Sequence, residues 1–519
     1  MLTEIYKKLK SSSGAIYRGA LYMTVFSLIN KLLGVFLRLF LSARIGGEGM
    51  GLYQLIMSVY TLFSTFATAG FTVSLSRLVA EKDEKSPSLA REMFYSSLVP
   101  AFLISFAATL IMFFCSGFIA VTFLGDERCA LPLKILSVSM PFMAISACFK
   151  GWFIAKGKVV ITSSSSLFEQ LVKLAVITVS LCAVLKDNSD IGRVCEGIVV
   201  GVTLSEMSSF AYLFIFKIAS SRKEKYKKSE KISRKPLRRE LFSVAVPISL
   251  SVYLSGILHT AETLLVPYVF EKYSGDRSKA LTDFGTVRGM VIPLLFFPFA
   301  FLQSLVSVFT PEISKLHVAG DSEKLRAKIS ELMSVVSVFG IAAFGLFFFR
   351  SETVGEAFYP NCDTAMPIKL LALVTPFMYS ETVADGLLKA LGEQKRTLLF
   401  TILNSALRVI LILAVVSKSG AFGYIILLIV SNTFSYILCR ARIFRVSRVK
   451  PDIKLILLSL FSSALSGLLS GVVERALPYS ASRVALASAV TVTYVGVFAL
   501  TMLLFRGRLT VRRRAGDTV

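Results

Sequence analysis

Apolar runs of about 20 residues, each long enough to cross the hydrocarbon core of a bilayer as a helix, recur from one end of the chain to the other. Hydropathy predicts spans near 19–43, 50–76, 92–122, 131–153, 159–185, 194–218, 241–270, 281–310, 329–349, 365–388, 397–417, 420–440, 453–473 and 484–505, fourteen in all. The second run is charge-free from residue 49 to residue 76, yet hydroxyl residues keep interrupting it. Ser58, Thr61, Thr65, Thr68 and Thr72 step by three and four and so share one helical face. Such a face either lines a polar cavity or permits close helix packing. Tyr53, Ser58, Thr61, Ser64, Thr65 and Thr68 are the candidate polar lining.

The pattern repeats internally. Residues 133–162, LKILSVSMPFMAISACFKGWFIAKGKVVIT, align without gaps on residues 368–397, IKLLALVTPFMYSETVADGLLKALGEQKRT. Pro141, Phe142 and Met143 recur as Pro376, Phe377 and Met378, and Lys134, Gly151 and Gly157 as Lys369, Gly386 and Gly392, at an offset of 235 residues. Six spans separate the fourth from the tenth, so the two copies run the same way. Their repeat is parallel, about an axis along the membrane normal, as in one class of transporters. The expected fold is an all-α membrane protein of six plus six plus two helices. Its parts are an N-terminal lobe (1–216), a basic linker loop (217–239), a second lobe (240–447), and two further spans with a basic tail (448–519).

Charge fixes the orientation. Only 18% of residues are charged and 54% are hydrophobic, against about 25% charged in soluble domains. The net charge of +25 is concentrated in alternate loops, with about 39 Lys and Arg in the N-terminal segment, the even-numbered loops and the tail against about 13 in the odd-numbered loops. Cations crowd the cytoplasmic side, so both termini and the linker are expected inside a bacterial-type plasma membrane. Spread over many loops without a reading motif, these cations do not predict nucleic-acid binding. The first span reads as a retained signal-anchor, having no short apolar region with a cleavage site. The seven cysteines have no ligand or disulfide spacing and read as apolar fillers.

Charges inside spans are expensive and mark function or pairing. Glu169 and Lys173 are spaced i,i+4 as a self-neutralising pair. Lys173 maps through the repeat onto Arg408, and Glu206 could partner either. Glu381 and Asp385, with Lys389 one turn on, form either a gate rim or a cation site. His259 beside Glu262 is either a proton relay or a packing residue. Lys31 and Arg38 are two turns apart on the first span with no acid of that span between them. Arg288, in the eighth, has only Asp283 near it. These three cations suggest an anionic ligand, and their spans belong to opposite repeats. Spans thirteen and fourteen carry no such charge.

The stretches NKLLGVFLRLFLSARIGGEGMGLYQL, TAGFTVSLSRLVAEK and GMVIPLLFFPFAFLQSLVSVFTPEIS (289–314) resemble the stage V sporulation protein B branch of the multidrug/oligosaccharidyl-lipid/polysaccharide flippase superfamily. The resemblance covers essentially the whole chain. It implies a V-shaped, two-lobed bundle like that of the multidrug transporters, with a cavity between helices one, two, seven and eight. It also implies export of a lipid-linked sugar by alternating access. Lipid II flippases of the superfamily carry basic residues in helix one, where Lys31 stands at one such position and Arg38 close to another. Their helix-two arginines fall where this chain has Ser64 and Thr65, a departure that points to the sporulation-type branch.

A polyprenyl-diphosphate sugar suits this set: cations for the phosphates, hydroxyls for the sugar, lipid for the tail. The expected partners are the lipid-linked sugar, the phospholipid bilayer and wall-synthesis proteins. No nucleotide loop is present and no nucleophile–base constellation, so neither ATP drive, an enzyme nor a cofactor is expected. A coupling ion, Na+ or H+, is the one small partner left open. The alternatives are a cation-coupled multidrug antiporter, which would favour buried carboxylates, and a non-transporting scaffold of a wall-assembly complex.

Overall fold

The computed structural model describes residues 14–68, 70–184, 190–223, 234–360, 362–476 and 482–516. Among these residues the chain is helical throughout and no strand occurs. The principal helices of the first half are α1 (Gly14–Thr68), α2 (Phe71–Lys85), α3 (Pro87–Phe114), α4 (Ala130–Ser137), α5 (Met140–Ala155), α6 (Val159–Val184) and α7 (Ile191–Lys223). They are followed by α8 (Arg234–Ser274), α9 (Arg277–Phe284), a π segment Gly285–Val291, α10 (Ile292–Phe296), α11 (Phe299–Val318), α12 (Ser322–Phe349) and α13 (Ser351–Phe358). The chain continues with α14 (Ala365–Ala372), α15 (Thr375–Ala390), α16 (Gln394–Leu411), α17 (Ser417–Ser447), α18 (Ile453–Ala476) and α19 (Arg483–Gly516).

Among the described residues, nine helices are long and apolar enough to cross a membrane, or ten with the bent pair at Glu127–Ala155 taken as one span. That criterion does not return the expected fourteen, for two physical reasons. Two of the nine, Val25–Glu84 and Gln394–Ser447, each cover two expected spans, joined through kinks at Gly46 (φ 66°) and Gly420 (φ 55°). Conversely, the fourth, eighth and tenth spans are each broken into shorter helices near Pro141, Pro298 and Pro376, because proline supplies no N–H to continue the ladder.

The repeat holds residue by residue. Adding 235 to the bounds of α4 and α5 gives those of α14 and α15. Pro141 and Pro376 each sit in the first helical turn of the second member, where their missing N–H costs nothing. In the first copy the two pieces bend by 44°. Each copy ends in a glycine at positive φ, Gly157 (68°) and Gly392 (79°).

Packing divides the chain into two compact units: Leu52–Tyr268 with the chain up to Leu37, and Arg38–Gly51 with Val269–Val519. These bounds differ from the division read from the sequence. In the first unit, α8 lies antiparallel to α2 and the second half of α1. Lys82 pairs with Glu240 at 2.7 Å, Tyr253 Oη donates to Phe66 O at 3.1 Å, and Thr260 Oγ1 donates to Ser58 O at 3.4 Å. Gly70 permits the approach: its φ is 81°, and a Cβ there would collide with Ser249 Oγ and lie 2.8 Å from Ala245 O. In the second unit, Arg38–Gly51 is held by glycine as well. A Cβ on Gly51 would strike Leu281 O, and one on Gly285 would strike Gly47 O.

The expected linker loop is also corrected at its described ends. Residues 217–223 extend α7 and 234–239 open α8, while 224–233 lie outside the described residues. Lys217 is buried with its Nζ 3.5 Å from the Trp152 ring centroid and 4.7 Å from that of Phe94, a cation–π seat that orders the chain. In the second unit, α18 and α19 pack on each other and α18 on α12. Arg350, at the end of α12, fastens α18 by donating to Ser470 Oγ at 3.1 Å, to Gly467 O and to Glu474.

Candidate functional site

Arg38 and Arg288 were expected on opposite halves; packing places both in the second unit, and Lys31 in the first. Arg38 is exposed and Arg288 half-buried. Arg288 lies in the π segment, a geometry frequent at functional sites, and its Nη1 donates to Tyr424 Oη at 3.2 Å. Tyr424 is fully buried between Phe270 and Phe284, with ring centroids 5.9 and 6.5 Å away.

Tyr359 ties the two arginine segments together. Its phenol donates to Met290 O at 3.1 Å, two residues beyond Arg288. It also meets the Ser42 hydroxyl, one helical turn beyond Arg38, and lies within the field of the Arg38 guanidinium. Burial pushes the Tyr359 phenol well up from its ordinary range, so it stays protonated and serves as a donor. Glu48 Oε2 accepts from Ser278 Oγ at 2.7 Å, clamping the same part of α1 to α9. A cavity of about 630 Å³ opens beside this junction, lined by residues 42–47, the end of α9, Thr286, and Tyr359, Pro360, Cys362 and Asp363.

The hydroxyl stripe behaves in two ways. Ser58, Thr61, Ser64, Thr65 and Thr68 each donate back to a carbonyl three or four residues earlier in α1, at 2.7–3.0 Å. Ser58 and Ser64 are buried, Thr65 and Thr68 half-buried and Thr61 exposed. Toward α8 the stripe leaves room: a Cβ on Gly256 would lie at ordinary contact distance, 3.9 Å from the Thr65 methyl. Tyr53 is half-buried and an electrostatic neighbour of buried Tyr60, whose hydroxyl contacts Ser139 Oγ at 2.8 Å.

The Glu169–Lys173 pair is present at 3.5 Å as one edge of a larger network. Lys150 Nζ lies 3.8 Å from the same carboxylate, and Glu206 faces Glu169, Lys173 and Lys150. Glu206 thus lies in the field of both Lys173 and Lys150, beside the Glu169 carboxylate. Arg408 belongs to the second unit, where its Nε donates to Ser431 Oγ at 3.1 Å and it neighbours Glu381. Glu381 Oε1 accepts from Ser435 Oγ at 3.0 Å, and Asp385 pairs with Lys389 at 2.6 Å. His259 is exposed and Glu262 buried, 3% accessible. Among the described residues no group of three or more His, Cys, Asp or Glu is placed to hold a metal.

Sequence reasoning missed Lys150, Tyr359 and Tyr424. The repeat carried a signal for the first: Lys150 plus 235 is Asp385, so equivalent positions carry opposite charges. For the tyrosines no local signal existed, because their partners are far away in sequence.

Comparison with known proteins extends this picture. The polysaccharide biosynthesis protein family matches residues 16–317, more than half of the chain. Stage V sporulation protein B of Bacillus subtilis (strain 168) is 22% identical over 501 residues, covering 94% of this chain and 95% of that protein. The lipid II flippase MurJ of the same organism is 20% identical over 451 residues, 80% of each chain. Among solved structures, lipid II flippase MurJ in an inward closed conformation matches with a TM-score of 0.68 at 15% identity, covering 94% of this chain and 99% of that one. An inward-facing multidrug resistance MATE family transporter of the MOP superfamily matches at 0.59 and 13% identity, over 83% and 99%. The chain therefore belongs to the polysaccharide biosynthesis protein family, and its many-helix fold is like that of the MurJ and MATE transporter structures.

Proposed function

We propose that this protein is a flippase that exports a lipid-linked sugar, a polyprenyl-diphosphate precursor of peptidoglycan or polysaccharide, by alternating access in spore-cortex or cell-wall synthesis. The observation that carries the reading is the Tyr359 junction, which holds the segments bearing Arg38 and Arg288 in one unit. Two guanidiniums offer paired donors matched to phosphate oxygens, and their attraction strengthens where water is scarce. A diphosphate that binds one conformation better than another shifts the equilibrium between them, which is all that transport requires of it. No bond is broken in the process.

Glu381 and Asp385 are the proposed coupling site for Na+ or H+, with His259 and Glu262 as a second candidate. Both termini and residues 217–239 lie inside; labelling of a cysteine at position 228 by an impermeant reagent from outside would overturn that orientation. The multidrug antiporter alternative is weaker, because the first span holds Lys31 and Arg38 and no carboxylate. The experiment that tests the proposal is flipping of a lipid-linked sugar in reconstituted vesicles, compared between the wild type and Arg38 or Arg288 variants. Wild-type vesicles that leave the sugar on its original leaflet would refute it.

A further inference from the structure

We infer that the cavity at the kink of α1 is a subsite for the cargo's sugar headgroup, with Asp283 and Thr286 as its principal hydrogen-bonding groups. The inference rests on the lipid-linked sugar reading and adds where the headgroup binds and how the cargo is oriented.

The cavity's volume, about 630 Å³, falls within the roughly 300–1,000 Å³ of ordinary ligand pockets. Its walls mix apolar groups, such as Ile45 and Val287, with polar ones. The Asp283 carboxylate is half-buried in the lining and accepts no hydrogen bond or ion pair among the described residues, with Lys279 acting on it only through its charge. A carboxylate held this way has acceptor capacity to spare, and a sugar's adjacent hydroxyls are donors that match it. Thr286 adds a hydroxyl on the same wall, and Ser42 another opposite.

Charge separates this subsite from the phosphate site beside it. Asp283 and Asp363 outweigh Arg44 in the lining, so the cavity disfavours a diphosphate and suits the ring hydroxyls of a neutral pyranose. The chain runs directly from one environment to the other. Ser42 is one helical turn from Arg38, and Thr286 is two residues from Arg288. A cargo with phosphates at the arginines has its first sugar beside the cavity mouth. The shape is built in: the Gly46 kink turns α1 away, and the glycine contacts at Gly51 and Gly285 fix the wall.

Cys362 lines the cavity and provides a native reporter. The test uses purified full-length protein with the other six cysteines replaced by alanine, alkylated with a maleimide. Burial raises the Cys362 thiol, so labelling is slow and its rate is compared at one fixed pH with and without saccharide, the reaction drawing on the thiolate fraction present. The probes are N-acetylglucosamine and its β-1,4-linked dimer, with sorbitol at equal osmolality as the control. At ten times the half-protecting concentration, labelling should slow about ten-fold by mass action. Asp283→Asn and Thr286→Val should remove the protection while the protein still elutes as a folded species. If Cys362 does not react, Asp363→Cys in a Cys362→Ala background reports from the exposed side of the same cavity. No protection by either saccharide, equal protection by sorbitol, or protection that survives both substitutions would each overturn the inference. Protection without vesicle transport would remove the export reading and keep a saccharide site. Transport without protection would remove the subsite and keep the export reading.

Discussion

Tyr359→Phe isolates the junction on which the functional reading depends. The side chain is 2% exposed, and phenylalanine fills the same space less one oxygen. Ser42 Oγ keeps its hydrogen bond to Leu39 O at 2.9 Å, so the loss is the one buried hydrogen bond to Met290 O. Losing such a bond costs about 0.5–1.5 kcal/mol. If the hydroxyl positions the Arg288 segment against that of Arg38, the cost falls on cargo binding. The concentration for half-maximal transport should then rise about 2- to 12-fold at 1.4 kcal/mol per decade, with the maximal rate less affected. Tyr379→Phe is the matched control. Tyr379 is also buried in the second unit and donates to Leu295 O, but it touches neither arginine segment. The two variants should lose similar thermal stability, and only Tyr359→Phe should weaken half-saturation. Vesicle transport over a cargo titration, with unfolding midpoints measured in parallel, decides it. Equal half-saturation in both variants would refute the positioning role.

Three further expectations follow from the charge networks and the cavity thiol. Removing one partner of a buried ion pair costs about 3–5 kcal/mol, and since Glu169 retains Lys173 and its side chain is 16% exposed, Lys150→Met should cost about 1–2 kcal/mol; an unchanged unfolding midpoint would show that Lys150 contributes nothing there. Glu381→Gln with Asp385→Asn should abolish the dependence of transport on a Na+ or proton gradient while leaving cargo half-saturation in place, and unaltered ion dependence would leave them as gate or packing residues. Because burial raises the Cys362 thiol, its thiolate forms only at higher pH, so its alkylation rate should still climb above about pH 9.5, where an ordinary cysteine of pKa about 8.5 is about nine-tenths ionised and levelling off; a plateau at the ordinary pH would contradict the burial.

Most of the helical architecture was legible in the sequence, because apolar runs and prolines act locally. The PFM recurrence at Pro141 and Pro376 located both copies of a broken span, and the structure reproduces the offset at every boundary of α4, α5, α14 and α15. Hydropathy could not show where a run is kinked and where it is cut. Gly46 and Gly420 look like any other glycines until φ is known. The unit boundaries were not legible either. They depend on whether a glycine meets a particular backbone, as Gly51 meets Leu281 and Gly70 meets α8. The candidate cations were visible as isolated charges in apolar runs, but their company was not. Tyr359 joins residues 42 and 290, and no period in the sequence links those positions. The basic segment after residue 216 read as loop from composition, whereas Lys217 sits on Trp152, a partner 65 residues away.

The central claim is that the guanidiniums of Arg38 and Arg288 hold the phosphates of a lipid-linked sugar. Its most direct test is flipping of a fluorescent polyprenyl-diphosphate sugar in reconstituted vesicles by Arg38→Glu and Arg288→Glu, each normalised to folded protein. Both variants should be inactive, since glutamate repels the phosphates, and lysine at either position should restore activity only in part, keeping the charge but losing the paired donors. Wild-type flipping by either glutamate variant would contradict the account.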